Sequence, residues 1–257
     1  MESLSINSNL DSYIAAEPDS QSAARMRRAS TPVVSSSNQL LKALPTQLFE
    51  KLQSSLRAVL LSRDQLLFLQ DDKLDYVYFP ETAVISEMRT LEDGRTIEVA
   101  LEGNEGAVGL SALFSSSRVA NCTQVAQGGS AVRIESSVLE KMTRVYPELA
   151  PLLAPQMDQY IRQISQRSIC NVYHSVKERL CTWLLLLQDR SGRKTLKLTH
   201  EQIARALGVY RPSITCVALE LKKDKLINYS RGGVSIRNRR GVESQACGCY
   251  LEMCNGM

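Results

Sequence analysis

The period of apolar positions changes three times along this chain. Residues 1–37 hold no period; Ser, Asn, Ala and Asp dominate, with Arg25, Arg27 and Arg28 among them. Such a segment cannot bury enough apolar surface to order itself and reads as a disordered arm. Residues 38–58 follow helical spacing: Leu41, Leu44, Leu48 and Leu52 lie three or four apart. Pro45 suits the start of the second of two short helices. From Val59 to Ile134 short strands take over. Tyr76-Val77-Tyr78-Phe79 ends at Pro80, and Ala83 to Met88 follows. Asp93-Gly94 then stands before Thr96–Leu101, where Ile97, Val99 and Leu101 alternate with Thr96, Glu98 and Ala100. That alternation is the period of a half-buried strand, and Asp-Gly suits the hairpin turn ahead of it. Gly128-Gly129 precedes a last strand, Ala131–Ile134. Many short strands with turn signals predict a small antiparallel barrel or jelly roll.

From Ser136 the helical period returns, with a short helix capped by Ser136 or Ser137 and a long one after Pro147. In the long helix Leu153, Met157, Tyr160 and Ile164 repeat at spacings of 4, 3 and 4, widened by Ile161. This is either a dimer seam or the face of a helix packed on its own barrel. A further helix, Val176 to Asp189, carries Leu180, Trp183, Leu184 and Leu187 on one face.

Leu198 to Ile227 then reads as a helix-turn-helix. Thr199 is an N-cap. Ile203, Ala204 and Leu207 form the inner face of a first helix, and small Ala204 admits a close crossing. Gly208 takes the turn, Val209 plugs the corner, and Pro212 sits where a second helix begins. Ile214, Val217, Ala218 and Leu221 bury that helix. Leu226 to Ile236 is a strand, a Gly232-Gly233 turn and a strand: a wing with Arg231 at its tip.

Charge sharpens this picture. The 257 residues carry a net charge of +4. Yet Ser191–Gly241 holds 12 Lys and Arg against 3 acids, which leaves 19 basic and 24 acidic residues elsewhere. A mildly acidic body thus joins a strongly basic segment. A polyanion partner and a solvated basic face both fit that asymmetry; the helix-turn-helix favours DNA. The longest apolar run is five residues, so no membrane span is expected. Without an export signal the chain is expected in the cytoplasm, with reduced thiols.

The stretch from about Leu40 to Tyr250 resembles the Crp/Fnr family of transcription regulators. The resemblance rests on Val77–Pro80, Asp93-Gly94-Arg95, Glu105–Gly109, the long helix and the winged motif. It implies an α+β chain: an N-terminal double-stranded β-helix (jelly-roll) sensor barrel over 38–146, a dimerisation helix and hinge over 147–175, and a winged helix-turn-helix domain over 176–257. It also implies a homodimer on a near-palindromic site in double-stranded DNA, with RNA polymerase as a partner and the small-molecule effector unknown or absent. Tyr210, Arg211, Ser213, Thr215 and Cys216 are the expected base contacts. Thr199, Lys222, Lys223 and Arg231 are the expected phosphate contacts. Arg211 matches the family's guanine-reading Arg; Pro212 stands where Glu is common.

Glu105 and Arg118 are the only match to an effector pocket. No hydroxyl residue follows Arg118, and two early turns lack the family's glycines, which argues against cyclic nucleotide. No cofactor or metal is expected: Cys247, Cys249 and Cys254 cluster without a fourth ligand in sequence, in what reads as a loosely packed tail. His200 is expected to face phosphate or solvent. The rival reading is a small-molecule-binding subunit acting through protein contacts. No nucleophile and base constellation supports an enzyme.

Overall fold

The computed structural model describes residues 31–32, 35–113, 118–230 and 232–254. Among the described residues, eight strands build the N-terminal half: β1 (Thr31–Pro32), β2 (Arg57–Leu61), β3 (Leu66–Phe68), β4 (Tyr76–Pro80), β5 (Val84–Thr90), β6 (Thr96–Glu102), β7 (Cys122–Gln127) and β8 (Gly129–Glu135). They form two antiparallel sheets, ordered β1-β2-β8-β4 and β3-β7-β5-β6. Successive side chains of a strand face opposite ways, and this sorts two cores. Tyr78 and Ala131 face inward with Leu61, Phe68, Ile85 and Val125 and fill the space between the sheets. Val77, Phe79, Val132 and Ile134 face outward onto helices α1 (Gln39–Lys42), α2 (Thr46–Gln53) and α3 (Ser136–Val145). At Gly109, with φ +93°, a Cβ would meet the Tyr76 carbonyl oxygen at 2.8 Å, so only glycine lets the chain pass so close to β4.

Three expectations change in the structure. Within the segment read as a disordered arm, β1 pairs with β2, and the Ser36 hydroxyl and Ser37 amide donate to Glu81 Oε1, each at 2.9 Å. The free edge of β2 and the Glu81 carboxylate offer partners that composition does not reveal. Residues 1–30, with the arginine cluster, lie outside the described residues.

The long helix, α4 (Leu149–Tyr173), is the second case. Its buried residues are Leu149, Leu153, Gln156, Gln163, Arg167 and Cys170, with half-buried Tyr160 filling the same 3-4 register. That stripe faces the chain's own barrel and winged domain. Leu153 sits in the barrel-side core, and the Tyr160 hydroxyl donates to Glu87 Oε2 at 2.5 Å. The expected dimer seam therefore divides. Leu153 and Tyr160 are intramolecular, whereas Met157 and Ile164 are half-buried and Ile161 is 59% exposed. Two parallel stripes about one residue apart produce the same sequence spacing, which is why periodicity merged them.

The C-terminal half begins at α5 (Val176–Ser191), capped by the reciprocal Ser175–Glu178 box and closed by left-handed Gly192. Residues 179–187 are buried all round. The elements around α5 are β9 (Thr195–Leu196), α6 (His200–Leu207), α7 (Arg211–Lys223), β10 (Ile227–Ser230), β11 (Gly233–Ile236), α8 (Arg239–Gln245) and α9 (Cys249–Cys254). The wing strands order β10-β11-β9. The tail read as loosely packed is instead helical, with Val242, Cys247, Cys249 and Met253 buried. It is ordered because its apolar face completes the core around α5.

Candidate nucleic-acid interface

The helix-turn-helix forms as its sequence dictates. Thr199 Oγ1 accepts the Gln202 amide at 3.2 Å, while Gln202 Oε1 accepts the Thr199 amide at 3.0 Å. Gly208 ends α6 with φ +62°, and a Cβ there would come within 2.9 Å of Ile97 Cδ1 on β6. So this glycine serves both the turn and the docking of α6 on the barrel. In α7, Ile214, Ala218 and Leu221 are buried against α6 and α5. The opposite face is open to solvent.

That open face carries most of the expected contacts. Tyr210 is 83% exposed at the N-cap, and Arg211, Cys216, Lys222 and Lys223 are exposed along one side. Lys222 Nζ reaches the Tyr229 carbonyl at 3.4 Å. Ser213 is half-buried. Thr215 is half-buried and its hydroxyl turns inward, 3.0 Å from His200 Nδ1 and 3.2 Å from the Arg211 carbonyl. The Thr199 hydroxyl is engaged in the capping box, also donating to Gln202 Oε1 at 3.2 Å. Arg231 lies outside the described residues.

Two features were not anticipated. Leu219 is 62% exposed on the α7 face, eight residues beyond Arg211. Helical spacing from Arg211 and Thr215 is the signal that finds it, and an apolar side chain there suits a thymine methyl. His200 does not face phosphate: its ring packs on Tyr229 with centroids 4.3 Å apart. Burial, and then the nearby Arg211 charge, holds His200 below the usual histidine range. The imidazole thus stays neutral and braces Thr215.

The expected effector residues do not converge. Glu105 Oε1 accepts from Arg190 Nε of α5 at 2.5 Å, with both side chains 1% exposed. Arg118 instead donates to the Asp71 carbonyl at 2.6 Å. Around Glu105 lies a buried polar layer between β6 and helices α4 and α5. Arg167 and Trp183 Nε1 donate to Glu98 Oε1 at 2.6 and 2.8 Å. Gln156 and Gln163 donate to the Glu102 carboxylate at 3.1 and 3.2 Å. Burial first, and the Glu105 charge second, hold Glu102 well above the ordinary carboxylate range. Arg190 is pushed up: burial would lower it, but Glu105 and Glu102 more than compensate.

Away from the interface, Cys170 and His174 at the end of α4 meet Cys247, just before α9, and Cys249, which opens it. Their ligand atoms all lie within 4.8 Å of one another. The fourth ligand missing from the sequence around Cys247 and Cys249 is supplied by the fold. Cys254 is not part of this group.

The profile of the Crp-like helix-turn-helix domain matches residues 178–244, and that of the cyclic nucleotide-binding domain matches residues 58–146. The Global nitrogen regulator of Synechocystis is 24% identical over 193 residues, covering 71% of this chain and 85% of that protein. The transcriptional regulator SdrP of Thermus thermophilus is 26% identical over 161 residues, covering 60% and 76%. Among solved structures, a protein assigned to the crp/fnr family from Eubacterium rectale superposes with a TM-score of 0.64 at 17% identity. That alignment covers 80% of this chain and 97% of that one.

Proposed function

The chain belongs to the Crp/Fnr family of transcription regulators, and from that premise we propose that it binds a near-palindromic DNA site as a homodimer. It is a DNA-binding regulator and not an enzyme. No helix among the described residues is long and apolar enough to cross a membrane. The observation that carries the reading is the open face of α7, where Arg211 stands exposed at the first turn and Lys222 and Lys223 at the last. Arg211 reads a guanine through O6 and N7; Tyr210, Ser213, Cys216 and Leu219 touch neighbouring base edges. Lys222, Lys223 and Arg231 neutralise phosphates, joined by the α6 N-terminus around Thr199. Thr215 positions the Arg211 turn through its bond to His200.

Dimerisation uses the outward stripe of α4: Met157, Ile161 and Ile164, continued by Val172, which is 74% exposed. With two copies paired there, the recognition helices sit about one DNA turn, ~34 Å, apart. The pairing of Glu105 with Arg190 supports a barrel that takes no cyclic nucleotide through Glu105 and Arg118. The site of action is the cytoplasm, where RNA polymerase is the partner.

The test is selection of fragments from a random DNA library by the purified chain, followed by titration of Arg211→Ala. We expect one enriched near-palindrome, and a loss of ~1–3 kcal/mol of discrimination in the variant while nonspecific binding persists. Equal loss on specific and random DNA overturns the role of Arg211. A shallow salt dependence would instead favour a subunit acting through protein contacts.

A further inference from the structure

The Cys170, His174, Cys247 and Cys249 group stands apart from the DNA face. Cys170 lies in the last turn of α4 and His174 is its C-cap, four residues on and on the same side. Cys247 precedes Gly248 in the turn before α9, and Cys249 opens that helix. Cys170 Sγ is 3.5 Å from Cys247 Sγ, and Cys249 Sγ is 3.5 Å from His174 Nδ1. A tetrahedral zinc with bonds of roughly 2.3 Å to sulfur sets its ligands roughly 3.8 Å apart. The group therefore needs only small side-chain adjustments to close on one ion. A cluster of several irons would hold its thiolates further apart.

The surroundings suit a metal–thiolate centre. Thr182 Oγ1 lies 3.1 Å from Cys247 Sγ and accepts the Cys247 amide at 3.2 Å. Gln166 Nε2 lies 3.0 Å from Cys249 Sγ. Hydrogen bonds of this kind orient thiolate ligands. Arg179 supplies an independent sign. It is buried, its Nε has no hydrogen-bond partner, and among the described residues it pairs with no carboxylate. Once ionised, the sulfurs of Cys170 and Cys247 would act on it with opposite charge. A buried cation without a counter-charge is costly, and a centre of three thiolates and one divalent ion carries a net −1 that would balance it. The other end of the Arg179 guanidinium donates to the Leu207 carbonyl, the C-terminus of α6.

We infer that Cys170, His174, Cys247 and Cys249 form a tetrahedral zinc site that staples the C-terminal helix to the end of the long helix. On binding, three thiols lose their protons to solvent, neutral His174 coordinates through Nδ1, and no electron transfer is involved. The site spans the α4–α5 junction, because Cys170 and His174 precede it and Cys247 and Cys249 follow the winged motif. It fixes the angle at which the winged domain leaves the long helix, and Arg179 extends that constraint to the helix-turn-helix. The metal assignment itself does not depend on the DNA reading.

The experiment uses the full-length chain, reduced and stripped with a chelator, then titrated with Co²⁺ and back-titrated with Zn²⁺. One cobalt per chain is expected, with intense tetrahedral ligand-field bands and thiolate-to-cobalt charge transfer, both abolished by one equivalent of zinc. X-ray absorption of the zinc form should give three sulfurs and one nitrogen. Cys249→Ser and His174→Gln should weaken zinc binding at least ~100-fold, and Thr182→Val, which removes no ligand, by ~10–100-fold. Cys122→Ser and Cys254→Ser should leave it unchanged. If a ligand variant does not fold, the wild-type cobalt spectrum and sulfur count decide. Octahedral cobalt, iron with acid-labile sulfide, a Cys170–Cys247 disulfide in the reduced preparation, or equal loss in Cys254→Ser each overturns the assignment.

Discussion

The interior of the winged domain and the seam joining it to the barrel are both buried, but they are built from opposite materials. Around α5 the core is apolar: Leu180, Leu184, Leu185, Leu187, Ile203, Ile214 and Leu221 are all 0–1% exposed. The seam holds Glu98, Glu102, Glu105, Arg167 and Arg190, along with Gln156 and Gln163. Apolar contacts are non-directional, so the core stabilises the domain without dictating how it meets its neighbour. Hydrogen-bonded ions demand one geometry and penalise every other, so the seam sets domain orientation. The difference locates where a signal would act: a charge change in the seam moves the domains, whereas one in the core unfolds them.

The largest effect tests the seam. Arg190→Ala leaves Glu105 buried without its cation and should cost about 3–5 kcal/mol in urea unfolding. The double replacement Arg190→Met with Glu105→Leu should recover most of that loss, since both charges leave together. A double variant as unstable as the single would show that the pair itself supplies the stability. In the core, Leu184→Ala removes buried methyl groups and should cost about 2–5 kcal/mol. Binding to the selected DNA should be unchanged once the variant is folded; altered DNA affinity would erase the distinction between the two regions.

A smaller effect separates them by pH. The Glu102 carboxyl is held above its ordinary value, so the folded chain binds its proton more tightly than the unfolded chain does. That stability is fully present below about pH 4.3 and is lost as pH rises through the folded-state value. Glu102→Gln should remove this decline, provided the Gln156 amide turns to accept from the new side chain. Unfolding midpoints measured from pH 5 to 8 check this, and parallel curves for the two proteins would sink it. Smallest is Thr199→Ala, which removes the α6 cap and should cost about 1 kcal/mol with no change in that pH profile. A thermal melt decides it.

Much of the architecture was legible because it is local. The β4, β5, β6 and β8 strands form where the apolar runs and turn residues place them, although both of their faces are largely covered and β6 buries Glu98 and Ala100 while Ile97 and Val99 are half-buried. The helix-turn-helix shows its cap, turn glycine and inner face within thirty residues. The exposed positions of Tyr210, Arg211 and Cys216 follow from the same helical phase. What failed was long-range. The stripe of Leu153 and Tyr160 shares a spacing with the outward stripe of Ile161, and nothing local says which faces the barrel. Glu105 sits where a ligand-binding carboxylate was expected, but its partner lies 85 residues away on α5. His200 looked like a surface residue of a DNA-binding helix until Tyr229 of the wing closed over it.

The amino-acid order by itself determined most elements of the barrel and the winged motif, the two kinds of domain and the basic face of α7. Each depends on neighbours within a turn or two of chain, where periodicity, caps and charge act directly. Only the tertiary structure decided which carboxylates are paired, which face of α4 is free, and that Cys170 and His174 meet Cys247 and Cys249. Those outcomes depend on contacts between segments separated by some 60 to 85 residues. Burial there multiplies the strength of each charge or ligand, and sequence spacing holds no record of it.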